Sequence, residues 1–330
     1  MTANQTLQWA MEKLQKAGVD SPALDAELLF IHALHSAIRA NRRMDRTWLY
    51  AHGKEQVRMT ALRRYKKLIA RRIKREPVAY ILGHKEFYGL DFLVNRSVLI
   101  PRPETEILVE RALDEIRNWK LDIRNLAVVD VGTGSGAIAV AVAKECKIKN
   151  VKCKIIATDI SVQALKVAKK NAWRHGVDKK ITFLRGNLLE PAFNVILNEA
   201  GRSEGSRTNV CASARDSSPP TQNDRLVIVA NLPYLPTAEW RGAQPEIKKW
   251  EPRAALDGGK DGLKYYRKLF AQLKFLISNF QYPISVFCEL CPHQFSPFKR
   301  LAREFFPSAK FRVEKDLSRQ ERVVIVNVGE

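Results

Sequence analysis

The chain has 330 residues, 45% of them hydrophobic, five cysteines and a formal net charge of +21. That is room for two domains or one large one with a sizeable core. No run approaches the roughly 18–20 apolar residues that span a bilayer, MTANQTLQWAMEKLQKAG at the N-terminus lacks the cationic start and apolar core of a secretory signal, and an odd cysteine count fits reduced thiols in a cytoplasm rather than a disulfide scaffold.

Residues 1–80 read as a helical domain. TLQWAMEKLQKAG ends at a Gly18 cap, and SPALDAELLFIHAL opens with Ser21 ahead of Pro22 at the first helical position. LRRYKKLIARRIKR, residues 62–75, holds eight basic and no acidic side chains. Leu62, Tyr65, Leu68, Ile69 and Ile73 recur at helical spacing, which predicts an amphipathic helix with a basic outer face. Together with the net charge, that face calls for an acidic partner or proximity to the ribosome or RNA.

Residues 81–104 read as a hairpin, EFYGLDFLV, and a proline-stiffened connector, SVLIPRP. From residue 105 to 330 a second domain begins with a helix and continues as strand, loop and helix in alternation. LAVVDVG, CKIIATDI, ITFLRGN and LVIVANL are the strands, and GAIAVAVAKEC and VQALKVAKKNAWRHG the helices. Such alternation implies parallel βαβ units in a doubly wound α/β sheet. ISVFCEL, KFRVEKDL and ERVVIVNV then add an antiparallel edge. Residues 192–225, rich in Ser, Asn, Arg, Gly and Pro, lie where a short connection would serve and read as a disordered insertion. Cys288 and Cys291 form a CxxC without a second ligand pair at metal-site spacing, so they are expected to be packed strand-end residues, with no metal bound.

VVDVGTGSGAIA, residues 128–139, places Gly132, Gly134 and Gly136 between a strand and a helix, where the backbone must turn with positive φ and admit a ligand. The next strand ends in Asp159, positioned to accept from both hydroxyls of a ribose. The third ends in Gly186-Asn187-Leu188, suited to an adenine edge and face. This constellation resembles the class I S-adenosylmethionine-dependent methyltransferases, a Rossmann-like fold.

In that fold Asn231-Leu232-Pro233-Tyr234, following the fourth strand, faces the sulfonium methyl. A planar amide or aromatic amine is a poor nucleophile because its lone pair is delocalised. Two acceptors for its N–H groups, Asn231 Oδ1 and the Leu232 carbonyl, can orient that lone pair at the methyl carbon. Pro233 fixes the peptide and Tyr234 offers a flat face to the planar group. The tetrapeptide leaves the amine open. Asn-Pro-Pro-Tyr is the commoner form in glutamine N5 and many adenine N6 enzymes, and Asn-Leu-Pro-Tyr is familiar in ribosomal-RNA adenine dimethyltransferases.

Longer segments choose among these. Residues 74–110, WEPRAALDGGKDGLKYYRKL at 250–269, CELCPHQ at 288–294 and DLSRQERVVIVNV at 316–328 resemble the bacterial release-factor glutamine methyltransferases. The helical domain resembles that family's substrate-docking domain. The resemblance implies S-adenosylmethionine as methyl donor and N5-methylation of the glutamine in the Gly-Gly-Gln loop of class 1 peptide chain release factors. It further implies that Gly132, Thr133, Gly134, Ser135, Gly136, Asp159, Asn187, Leu188 and Asn231 line the cofactor, while Asn231, Leu232, Pro233 and Tyr234 hold the glutamine amide. Asn187 stands where such enzymes usually carry Asp, and Leu232 where they carry the first proline. A ribosomal-protein glutamine methyltransferase is the alternative, and adenine N6-methylation of RNA or DNA the next.

Overall fold

The computed structural model describes residues 1–35, 45–118, 126–199, 225–279 and 283–329. The chain divides into two compact units. The first is Met1–Lys85 with Val94–Arg96 and Gln244–Glu251; the second is Glu86–Leu93, Ser97–Ala243 and Pro252–Glu330.

The first unit is helical: α1 (Ala3–Lys16), α2 (Pro22–His35), α3 (Arg46–Ala51), α4 (Met59–Ile73) and α5 (Val78–Leu82). Thr2 and Gln5 form a reciprocal capping box at the start of α1. Leu14, Leu29, Phe30, Tyr65 and Ile69 build the core. Tyr65 is fully buried and its hydroxyl donates to the Ala26 carbonyl at 3.0 Å. Tyr65→Phe is expected to lower the stability of this unit by about 1 kcal/mol, read as a small drop in its urea midpoint; an unchanged midpoint would remove that bond from the account.

The basic stretch on α4 differs from the uniform outer face its composition suggests. Arg72 is buried between Asp25 at 2.6 Å and Glu246 at 2.8 Å, Arg75 pairs bidentately with Glu246, and Arg71 with Glu76. Hydrophobic spacing alone misplaces Arg72, because a long arginine stem buries like an aliphatic chain once acids meet its head. Arg63, Lys66 and Lys67 remain exposed.

A hairpin follows, β1 (His84–Phe87) and β2 (Leu90–Leu93), of which Glu86–Leu93 belong to the second unit, and then α6 (Thr105–Asn118). Then come β3 (Leu126–Val131), α7 (Ala137–Ile148), β4 (Lys154–Asp159), α8 (Val162–Arg174), β5 (Ile181–Arg185), α9 (Phe193–Glu199) and β6 (Arg225–Ala230). The chain continues as α10 (Thr237–Gly242), α11 (Pro245–Trp250, within the first unit), α12 (Lys264–Asn279), β7 (Ile284–Glu289), α13 (Phe295–Phe305), β8 (Lys310–Lys315) and β9 (Glu321–Val328).

Among the described residues the main sheet is seven-stranded, in the order β5-β4-β3-β6-β7-β9-β8. The first five strands are parallel, and β9 and β8 are antiparallel, as the strand pattern predicts. Strand parity sorts the core. Val128, Val227 and Val229 face α6 and α7, while Val129, Val131, Leu226 and Ile228 face α12 and α13. Helices on both faces make these strands continuous runs of β-branched residues. The order reverses between β3 and β6, which opens the ligand crevice of a doubly wound sheet at their C-terminal ends.

The segment expected to be an insertion begins otherwise. Residues 193–199 are the helix α9, whose Ile196 joins the core; residues 200–224 lie outside the described residues. Cys288 is buried in β7, and Cys291 caps the short 3₁₀ turn Pro292–Gln294. Among the described residues no helix is long and apolar enough to cross a membrane, and no group of three potential metal ligands comes together.

Candidate active site

A cavity of about 330 Å³ opens at the ends of β3, β4, β5 and β6. Its wall takes Gly132 and Gly134 from the first turn, Asp159 from β4, Gly186–Leu188 after β5 and Asn231–Pro233 after β6.

The turn after β3 is shaped by close approach. Gly132 has φ +76°, and a Cβ there would stand 3.2 Å from Leu232 Cδ2. Gly136 begins α7 against Ala168 of α8, with a Cβ site 3.0 Å from the alanine methyl. Its role is helix packing, and it does not line the cavity. Thr133 and Ser135 are buried away from it too: Thr133 Oγ1 donates to Asp130 Oδ2 at 2.6 Å, and the Ser135 carbonyl accepts from Asn171 Nδ2 at 2.8 Å.

Asp159 accepts from the Gly134 N–H at 2.9 Å and the Ser161 N–H at 2.8 Å. Those bonds leave lone pairs on both oxygens for two hydroxyls. Burial pushes its pKa up, and the two backbone donors pull it back. Asn187 Nδ2 donates to Glu190 Oε1 at 3.1 Å. Leu188 takes φ +54° at the cavity wall, a left-handed backbone that a leucine adopts at a cost of about 1–2 kcal/mol.

Asp130, beneath the turn, is buried and also accepts from the Ala139 N–H at 3.1 Å, while its Oδ1 has no partner. Burial pushes its carboxyl up to about 7, against the hydrogen bonds from Thr133 and Ala139. A raised folded-state pKa means that stability falls as pH rises from the ordinary carboxylate range to about 7. Asp130→Asn is therefore expected to flatten the loss of thermal midpoint between about pH 4 and about pH 7. An equal loss in both proteins would contradict the burial of this charge.

Past β6 the structure separates the tetrapeptide. Asn231, Leu232 and Pro233 line the cavity and Tyr234 does not. The Tyr234 hydroxyl donates to Glu289 Oε1 at 3.0 Å. Burial and the Glu289 charge push its pKa well up, keeping it a donor. Asn231 Nδ2 donates to Thr105 Oγ1 at 3.0 Å. Sequence reasoning missed Thr105, along with Ser97–Leu99, Pro252, Ala254, Ala255 and Tyr265 in the wall. These residues lie within the two long segments noted above, at 74–110 and 250–269, but no spacing rule gives them a role.

Comparisons with known proteins identify the two parts of the chain. The model for the PrmC N-terminal domain matches residues 5–83, and one for a methyltransferase domain matches residues 123–211. The Geobacter sulfurreducens release factor glutamine methyltransferase is 37% identical over 266 residues, covering 81% of this chain and 77% of that protein. The Bacillus anthracis protein of the same name is 32% identical over 328 residues, 99% of this chain and 100% of its own length. The Bacillus subtilis one is 33% identical over 323 residues, 98% and 96% of the respective chains. The human Mettl16 catalytic domain, solved with the MAT2A 3′UTR hairpin 6, shares the fold at TM-score 0.50 and 14% identity over 80% of this chain and 82% of that one. With identity above 30% running the full length of both chains, this protein belongs to the release factor glutamine methyltransferase family.

Proposed function

We propose that this chain transfers a methyl group from S-adenosylmethionine to the side-chain amide nitrogen of the Gly-Gly-Gln glutamine in class 1 peptide chain release factors. The observation that carries the reading is the full-length match to enzymes of that name, in a chain whose Asn231, Leu232 and Pro233 line the cavity at the strand ends.

The residues present fit the methyl donor. Glycine at 132 leaves space that a Cβ would fill against Leu232, and Asp159 keeps acceptor capacity for a ribose. When bound, the donor supplies an electrophilic methyl carbon on a sulfonium. Gly132, Gly134 and Asp159 would hold its amino-acid and ribose portions, and Asn187 and Leu188 its adenine, with Thr133, Ser135 and Gly136 shaping the turn from behind. The Asn231 side-chain oxygen and the Leu232 carbonyl accept the two substrate N–H groups, turning the nitrogen lone pair toward the methyl. No strong base is required, because the nitrogen becomes acidic only as it gains the methyl. Rate then comes from alignment, which is worth on the order of 7–11 kcal/mol, and from dipoles set in advance. Tyr234, bonded to Glu289, contributes by fixing the loop.

Residues 1–80 dock the release factor and 81–104 connect the domains, in the cytoplasm where translation ends. The exposed basic residues of α4 face the acidic surface of the substrate or the RNA near it. The test is label transfer from radiolabelled S-adenosylmethionine to release factor, ribosomal protein and ribosomal RNA in parallel. Label on the release factor, lost when its Gly-Gly-Gln glutamine is replaced, is expected. Label on RNA or ribosomal protein alone would overturn the substrate.

A further inference from the structure

Asn231 can accept a substrate N–H only if Oδ1, not Nδ2, faces the cavity. The two ends of an amide are nearly the same size, so hydrogen bonds rather than packing choose between them. The choice at Nδ2 is made by Thr105 Oγ1, 3.0 Å away and buried at the start of α6. A hydroxyl both donates and accepts, so it holds the amide one way round only if its own hydrogen is committed elsewhere. Beside it, at the end of β7, lies Glu289, 1% exposed. Its Oε1 accepts from the Tyr234 hydroxyl at 3.0 Å, while its buried Oε2 has no partner and the Thr105 hydroxyl lies beside the carboxylate, placed to supply that oxygen's donor. An ionised carboxylate can only accept.

We propose that Glu289 and Thr105 are positioning residues that set the direction of this chain: Glu289 holds the hydroxyl hydrogens of Thr105 and Tyr234, Thr105 therefore accepts from Asn231 Nδ2, and Asn231 Oδ1 is turned to the substrate amide. This deepens, and rests on, the reading of Asn231 as acceptor for the glutamine N–H.

The carboxylate is sensitive to pH. Burial pushes its pKa up, and Thr105, Tyr234 and Arg322 of β9 pull it back, while Glu104 adds to the rise. Arg322 is itself tied to Asp316 at 3.0 Å. The Tyr266 hydroxyl donates to the Glu289 backbone carbonyl at 2.5 Å, and Cys288 and Cys291 are further titratable neighbours. As pH falls through the raised pKa, the carboxyl acquires a hydrogen that it can donate to Thr105 Oγ1. The Thr105 hydrogen is then free to turn to Asn231, and the amide loses its fixed sense. The turnover rate therefore has an acid limb that belongs to Glu289. Asp159 also titrates upward but sits at the ribose end of the cavity, so at saturating methyl donor it leaves kcat alone.

The test uses the full chain with saturating S-adenosylmethionine and release factor, measuring kcat, KM and donor affinity across pH. Thr105→Val is expected to lower kcat by about 100-fold with donor affinity retained, and Thr105→Ser to recover most of the rate. Glu289→Gln is expected to lose the acid limb of kcat. A Thr105→Val enzyme with unchanged kcat, or an acid limb that persists in Glu289→Gln, would overturn the proposal. If Thr105→Val does not fold, Thr105→Ser and the two pH profiles decide it. An Asn231→Ala enzyme at full rate would instead sink the reading of Asn231 itself. A rate that needs Asn231 but ignores Thr105 and Glu289 would sink only the relay.

Discussion

Replacing Asn231 by alanine lowers kcat for release-factor methylation by about 10²–10³-fold, or roughly 3–4 kcal/mol of transition-state stabilisation. The magnitude follows from what the amide does. It is one of two acceptors at the reacting nitrogen, it stands at the end of a rigid buried strand, and its orientation is fixed by Thr105. An acceptor held in place costs no reorganisation when charge develops, whereas a water in the space left by alanine would have to be ordered. The loss is expected in kcat more than in donor affinity, since Asp159 and the glycine turn are untouched. Asn231→Asp separates the terms. It keeps an acceptor but loses the N–H that bonds Thr105, so it should fall between the wild type and alanine. Single-turnover label transfer, with a thermal midpoint for each protein, checks the series. Alanine at the wild-type rate would mean that the methyl is passed elsewhere.

The parts of this molecule legible from sequence are those fixed by neighbours along the chain. The β-branched runs, the GxGxG turn and the antiparallel finish follow from local period and backbone geometry, and the sheet order obeys them. What stayed hidden depends on pairings across long separations. Glu246 meets Arg72 and Arg75 from more than 170 positions away, so the short helix α11 joins the first unit although it follows the loop after β6. Asn231 meets Thr105 across 126 positions. Tyr234 was expected to lie flat against substrate; its hydroxyl instead finds Glu289, a partner no spacing rule could name. A buried polar side chain goes where its hydrogen bond is, and that address is set by the tertiary fold.

Gly262→Ala is the second large effect. Leu232 stands where proline would stiffen the tetrapeptide from within, so the loop must be held from outside. Leu235 exchanges backbone hydrogen bonds with the 256–258 strand-like stretch: its N–H donates to the Leu256 carbonyl at 3.0 Å and its carbonyl accepts from the Gly258 N–H at 2.8 Å. Gln294, from CPHQ, is 2% exposed and its Nε2 donates to the Tyr234 carbonyl at 2.7 Å. Gly262 lies beneath that bond with φ +74°, and a Cβ there would fall on both the Gln294 amide and the Tyr234 carbonyl. Alanine thus meets two penalties: about 1–2 kcal/mol for the left-handed backbone, and about 1–3 kcal/mol for overpacking. Relief requires Gln294 or the Tyr234 peptide to move, and Leu232 and Pro233 adjoin that peptide. A displacement near 1 Å at the acceptors costs about 10²-fold in rate. Gly242→Ala is the control, because a Cβ there meets nothing within 4 Å and its φ is not positive. The expected pattern is a Gly262→Ala enzyme that binds S-adenosylmethionine by calorimetry yet methylates release factor slowly, beside a Gly242→Ala enzyme that does both. If Gly262→Ala folds and keeps its rate, the loop is stiff without Gln294, and leucine at 232 does the work of proline unaided.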